Sequence, residues 1–168
     1  MKTEIIKKIK NRTSIIGILG MGYVGLPLAR EFLKADFKVI GFDLDNQKVQ
    51  KINKGDCYID HIGNDFLQEY VITKKKFFAT DDYKQLKKAD IILICVPTPL
   101  GKHNDPNLSF VVDTSSKIVE NLKKGQVIIL ESTTYPGTTE EEILPLFQNR
   151  GFKVGKDFFL GYSPERED

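Results

Sequence analysis

Two cysteines, two histidines and no tryptophan occur in 168 residues. Cys57 and Cys95 are too few and too far apart for a metal-ligand spacing, and a cytosolic pair this distant is not expected to form a disulfide. Cys95 ends an apolar run and reads as a small core residue. Cys57 lies in the polar turn Gly55-Asp56-Cys57-Tyr58, with only His61 nearby as a base, so a nucleophilic role has little local support. Charge of one sign is also missing: 25 Lys plus Arg face 23 Asp plus Glu. That balance argues against nucleic acid or a membrane surface as the main partner. The clusters Lys74-Lys75-Lys76 and Lys123-Lys124 read as solvated faces. No apolar run reaches the ~18–20 residues of a transmembrane helix. The first dozen residues alternate Lys with Ile, include Glu4, and lack an uninterrupted apolar stretch. They are expected to be an amphipathic lead-in rather than a signal peptide. The expectation is one domain with a real core, in the cytoplasm.

Glycine is placed with purpose. Gly20-Met21-Gly22-Tyr23-Val24-Gly25 fits G-x-G-x-x-G. It follows the apolar run Ser14 to Leu19, which reads as a buried strand. It opens a segment in which Leu26, Ala29, Arg30 and Leu33 continue at helical spacing. Strand, glycine turn and helix form the context that dinucleotide binding requires. Gly20 would allow the tight turn, Gly22 the approach of a pyrophosphate to bare backbone, and Gly25 close helix–strand packing. The helix N-terminus would offer N–H groups and a positive dipole end to the phosphates. A glycine-rich turn also occurs in other βα units, so the next strand matters. Lys38 to Asp43 is apolar and ends in an acid, eighteen residues after Gly25. Asp43 is placed to take a ribose hydroxyl. It could equally cap the helix read from Asn46 to Ile52, and the two roles could coexist. Asp43 and Asp45 would repel a 2′-phosphate, so NAD is expected over NADP.

Apolar strands and amphipathic helices then alternate along the chain. Helices are expected at Asp65–Lys75, Asp82–Lys87, Phe110–Leu122 and Thr138–Asn149. Strands are expected at Phe77–Thr80, Ile91–Val96, Gln126–Glu131 and Phe158–Tyr162. The three prolines from Pro97 to Pro106 break regular structure. The expected fold class is α/β: a Rossmann-type, doubly wound, mainly parallel six-stranded sheet with helices on both faces. The natural strand order is 3-2-1-4-5-6, with ligands at the carboxyl ends of the strands. Three segments should converge there: Val96-Pro97-Thr98-Pro99-Leu100, Glu131 to Gly137, and Ser163 to Asp168. They carry hydroxyls and carboxylates. Ser132-Thr133-Thr134 could instead cap the following helix, and Ser163 to Arg166 could be a plain turn. His61 and His103 read as solvated loop residues.

Four strings in this order resemble the nucleotide-sugar 6-dehydrogenases, the family of UDP-glucose and UDP-N-acetylhexosamine dehydrogenases. They are Gly20 to Ala29, Cys95-Val96-Pro97-Thr98-Pro99, Glu131 to Thr139, and Ser163-Pro164-Glu165-Arg166. The resemblance runs from about Ser14 to Asp168 and is greatest to the UDP-N-acetylglucosamine branch. It implies oxidation of a UDP-sugar C6 alcohol to the uronic acid in two NAD-dependent steps, with covalent capture of an aldehyde by cysteine. It implies that Thr133 helps position the catalytic water and Glu165 serves as an acid/base. Val96, Pro97, Thr98, Glu131 and Thr133 would line the NAD site. Gly20, Met21, Gly22, Tyr23, Val24 and Gly25 would meet the pyrophosphate, and Asp43 the adenosine ribose. The family's nucleophilic cysteine and catalytic lysine lie in a later domain, beyond a central dimerisation helix. Neither Cys57 nor Cys95 matches that cysteine. Residues 1–168 are therefore expected to be the NAD-binding domain alone, monomeric and inactive in isolation, within a parent that is a homodimer or larger. Two other readings share the glycine turn: a non-catalytic NAD-binding or sensing module, and the N-terminal domain of a 6-phosphogluconate or 3-hydroxyacid-type dehydrogenase.

Overall fold

A computed structural model describes residues 1–60, 62–100 and 106–164. The readings of His61, His103, Glu165 and Arg166 lie outside those residues. Six strands form one parallel sheet: β1 (Ile15–Leu19), β2 (Lys38–Phe42), β3 (Phe77–Thr80), β4 (Ile91–Ile94), β5 (Val127–Leu130) and β6 (Phe159–Tyr162). Their order is β3-β2-β1-β4-β5-β6, as the sequence pattern implies, and every pairing is parallel. The register sets Leu19 beside both Phe42 and Ile94, and Ile94 beside Leu130. The carboxyl ends of the four central strands therefore finish level.

Burial on both faces explains the unbroken apolar strands. Along β4, Ile91 and Leu93 enter one core while Ile92 and Ile94 enter the other. The first core gathers α2 (Gly25–Lys34) through Leu26, Ala29 and Leu33, and α3 (Asn46–Lys54) through Val49 and Ile52. The second gathers α5 (Ser109–Glu120) through Val111 and Ile118, together with Phe147, which stacks on Phe158 at 4.5 Å.

Two expected helices depart from regular α geometry. Asp65–Lys75 resolves into one turn, α4 (Asp65–Leu67), followed by a π-helical turn at Gln68–Thr73 that contains the β-branched run Val71-Ile72-Thr73. Such residues crowd the preceding turn of an α-helix. Thr138–Asn149 becomes a π turn at Thr139–Ile143 and then α6 (Leu144–Gln148). Pro145 has no N–H to bond the carbonyl four residues back, and its ring clashes with that carbonyl. The wider turn before it accommodates both problems. Tyr83–Lys88 forms a 3₁₀ helix where a short α-helix is expected.

The expected lead-in is a true helix, α1 (Lys2–Lys10), with Ile5 buried. Asp90, at the start of β4, locks it to the sheet. Its carboxylate meets Lys8 Nζ at 2.9 Å and Lys123 Nζ at 3.4 Å, and it accepts the Ile15 N–H at 3.0 Å. Burial alone would raise this carboxyl, but Lys8, the Ile15 amide and Lys123 together hold it below the usual Asp value. Asp90→Asn is expected to lower stability by about 2 kcal/mol at neutral pH, since two ammonium groups lose their countercharge and one of the two acceptor oxygens becomes an amide donor. A lowered folded-state pKa gives stability that is complete above about pH 4 and is lost as pH falls through the folded value. In urea titrations the gap between wild type and variant should shrink from pH 7 to pH 3. A gap of equal size at both would show that the carboxylate charge is irrelevant.

Candidate cofactor-binding site

β1 ends at Leu19 and the chain turns through Gly20, whose φ is +94°. Its N–H donates to the Phe42 carbonyl at 2.8 Å, so the turn is fastened to β2. A Cβ on Gly20 would sit 2.5 Å from the Cys95 carbonyl oxygen, and one on Gly25 only 1.8 Å from the Gly20 carbonyl oxygen. A Cβ on Gly22 would meet nothing within 4 Å. The outer glycines are thus demanded by packing, while the middle one faces open space at the head of α2. The Leu26 N–H returns to the Gly22 carbonyl at 3.1 Å, starting the helix.

That space belongs to a cavity of about 560 Å³ lying over the carboxyl ends of β1, β2, β4 and β5. Of the residues expected in the site, Gly20, Gly22, Tyr23, Val24, Asp43, Val96, Pro97, Thr98, Glu131 and Thr133 all line it. Met21 and Gly25 stand behind the wall. Met21 is fully buried, and its sulfur fills the gap left by the missing side chain of Gly41. Any contribution of Met21 to the cavity is therefore made by its backbone.

Asp43 is nearly buried, and each carboxylate oxygen already accepts a backbone amide. Met21 N–H donates to Oδ2 at 2.8 Å and Asp45 N–H to Oδ1 at 2.9 Å. Lys48 Nζ stands 3.6 Å from Oδ2. A carboxylate has about four acceptor directions, so Asp43 can hold the glycine turn and still receive a hydroxyl. The cap of α3 is Asp45, which accepts the Gln47 N–H at 2.8 Å, and not Asp43. The local alternative for Asp43 falls away.

The loops after β4 and β5 are tied together. Ser132 Oγ donates to the Val96 carbonyl at 2.7 Å, and Thr98 Oγ1 donates to the Thr133 carbonyl at 2.7 Å. The next helical turn begins only at Thr139, so Ser132 joins two strand ends instead of capping it. Burial pushes the Glu131 carboxyl upward, and a hydrogen bond from the Ser163 hydroxyl partly offsets this. Five further lining residues were not singled out from the sequence: Leu44, Lys48, Tyr83, Phe110 and Thr114. Only Lys48 had one available, since it sits on the first turns of α3 beside Asp43.

The arrangement suits a dinucleotide. An anion fits the open space at Gly22, where the N-terminal end of the ten-residue α2 presents its dipole. A ribose fits beside Asp43. Among the described residues no cluster of His, Cys, Asp and Glu could hold a metal ion, and no helix is long and apolar enough to cross a membrane.

Sheet order, glycine turn and cavity define a Rossmann-type dinucleotide-binding domain, and the cofactor is NAD. Residues 14–168 match the NAD binding domain of the UDP-glucose/GDP-mannose dehydrogenase family, and the chain belongs to that family. It is 38% identical over 152 residues to the UDP-N-acetyl-D-glucosamine 6-dehydrogenase of Pseudomonas aeruginosa, covering 90% of this chain and 35% of that protein. The solved UDP-D-ManNAc dehydrogenase of Pyrococcus horikoshii is similar with a TM-score of 0.83 and 36% identity, covering 92% of this chain and 37% of that one. A ternary complex of GDP-mannose dehydrogenase from Pseudomonas aeruginosa gives a TM-score of 0.85 and 30% identity, covering 90% of this chain and 36% of that one. The chain thus spans about a third of the length of the curated relatives it matches.

Proposed function

We propose that residues 1–168 serve as the NAD-holding part of a UDP-sugar 6-dehydrogenase, with UDP-N-acetylglucosamine favoured over UDP-glucose as substrate. The observation that carries this reading is the convergence of the glycine turn, Asp43 and the tied β4 and β5 loops on one cavity. The substrate class is supported by relatives named as UDP-N-acetylhexosamine dehydrogenases. NAD, when bound, supplies the hydride acceptor for oxidation of the C6 alcohol in two steps. This chain's residues hold and orient it. The head of α2 faces the pyrophosphate, Asp43 takes the adenosine ribose, and Val96, Pro97, Thr98 and Glu131 border the remainder.

Thr133 lines the cavity, and its hydroxyl has no partner among the described residues. In the proposed reaction it orients the attacking water, while Glu165 moves the proton. The nucleophilic cysteine, the catalytic lysine, the dimerisation helix and the UDP-binding domain are assigned to the longer protein. Residues 1–168 alone bind NAD and turn over nothing. Two carboxylates on this wall of the cavity, Asp43 and Asp45, disfavour a 2′-phosphate.

Calorimetry on this chain should give NAD affinity at least tenfold above that for NADP. Comparable affinities would remove the assignment of Asp43. The longer protein should form NADH on adding UDP-N-acetylglucosamine, and inertness toward that sugar, UDP-glucose and their epimers would remove the activity.

A further inference from the structure

The turn between α3 and α4 carries a side chain that does not reach the cavity yet touches its most critical peptide. Its ends are anchored. Cys57 N–H donates to Asn64 Oδ1 at 2.7 Å, Gln68 Nε2 donates to the Gly55 carbonyl at 3.0 Å, and Ile59 is buried between them. This framework directs the Tyr58 hydroxyl onto the Met21 carbonyl, to which it donates a hydrogen bond. The N–H of the same Met21 is held by Asp43.

We propose that Tyr58 is a positioning residue for pyrophosphate binding, acting through the Met21–Gly22 peptide. The peptide is planar and trans, so its carbonyl and its N–H leave on opposite sides. With the Met21 carbonyl hooked by Tyr58 on the buried side, the Gly22 N–H leaves on the other side. No acceptor among the described residues takes that N–H. Gly22 itself gives no steric resistance to rotation of this peptide, because it has no Cβ and open space around it. A flipped peptide would present a carbonyl oxygen, and so negative charge, to the phosphates. Asp43 fixes the preceding Gly20–Met21 peptide by its N–H, and Tyr58 holds the Met21 carbonyl, so a flip would have to break the Tyr58 hydrogen bond. Burial, with Asp43 as a secondary cause, pushes the Tyr58 phenol well above its usual value, so the donor proton is retained at neutral pH.

The inference rests on the NAD reading of the cavity and is tested separately from it. Tyr58→Phe keeps the ring and removes only the donor, so the melting temperature should move by no more than a few degrees. Titrations of wild type and variant with NAD, ADP-ribose and adenosine form the test. NAD and ADP-ribose should each bind about tenfold more weakly to the variant, the worth of one oriented hydrogen bond. Adenosine, which has no phosphate, should bind equally to both. An unchanged ADP-ribose affinity, or an equal loss for adenosine, would overturn the role of Tyr58 and leave the cavity assignment standing. A wild-type chain that binds neither NAD nor ADP-ribose would overturn both.

Discussion

Gly25→Ala should lower the melting temperature by about 10 °C and abolish measurable NAD binding. The added methyl would lie 1.8 Å from the Gly20 carbonyl oxygen, 3.0 Å from its carbon, and 3.2 Å from the Ile18 side chain. The first two neighbours are backbone, so no rotamer change relieves the contact. Either the first turn of α2 moves away from β1, or the Gly20 turn opens. The turn is fastened by the Gly20 N–H to Phe42 and crowded by Cys95, so the helix must move. Overpacking of this kind costs about 3 kcal/mol or more. At about 2–4 °C per kcal/mol for a chain of this size, that gives the stated shift. Displacing α2 also withdraws its N-terminus from the phosphates. Scanning calorimetry with and without NAD checks both effects. A variant that melts with the wild type would mean that helix and turn do not touch as described.

Gly22→Ala should do the reverse. Nothing lies within 4 Å of the position a Cβ would take, and the Gly22 φ is outside the left-handed region. The melting temperature should therefore stay within about 2 °C, the usual range for a surface substitution. NAD affinity should fall by about a hundredfold, because the methyl would occupy the open space at Gly22 that is proposed for the pyrophosphate. Isothermal titration and thermal melting on one sample separate the outcomes. Wild-type affinity in this variant would place the phosphates elsewhere. Two glycines three residues apart thus give opposite signatures, one in stability and one in binding.

Much of the architecture was legible in the sequence because burial leaves a simple trace. Ile91-Ile92-Leu93-Ile94 is apolar without interruption since both faces of β4 are covered, and the same holds for the end of β1. Strands with that pattern, joined by helices, leave few topologies, and the observed order is among the commonest. The glycine turn was legible for a similar reason: a backbone that must approach other backbone tolerates no side chain. The helical details were less so. The π turns at Gln68–Thr73 and Thr139–Ile143 depend on β-branched crowding and on Pro145, which periodicity does not weigh. The anchoring of α1 depends on Asp90, eighty-two residues from Lys8.

The site divides along the same line. Glycine spacing and the acid after β2 pointed, from the sequence alone, to a dinucleotide cradle and to Asp43 on its wall, because both lie within one local βαβ unit. Tertiary structure decided the rest. It assigned the cap of α3 to Asp45 and released Asp43 for the glycine turn. It put the Met21 side chain beneath Gly41 and left only its peptide to serve the cavity. It brought Tyr83, Phe110 and Thr114 to the cavity wall and Tyr58 to the Met21 carbonyl. These last contacts join residues far apart in the chain, and local periodicity carries no record of which distant side chain closes over a given peptide.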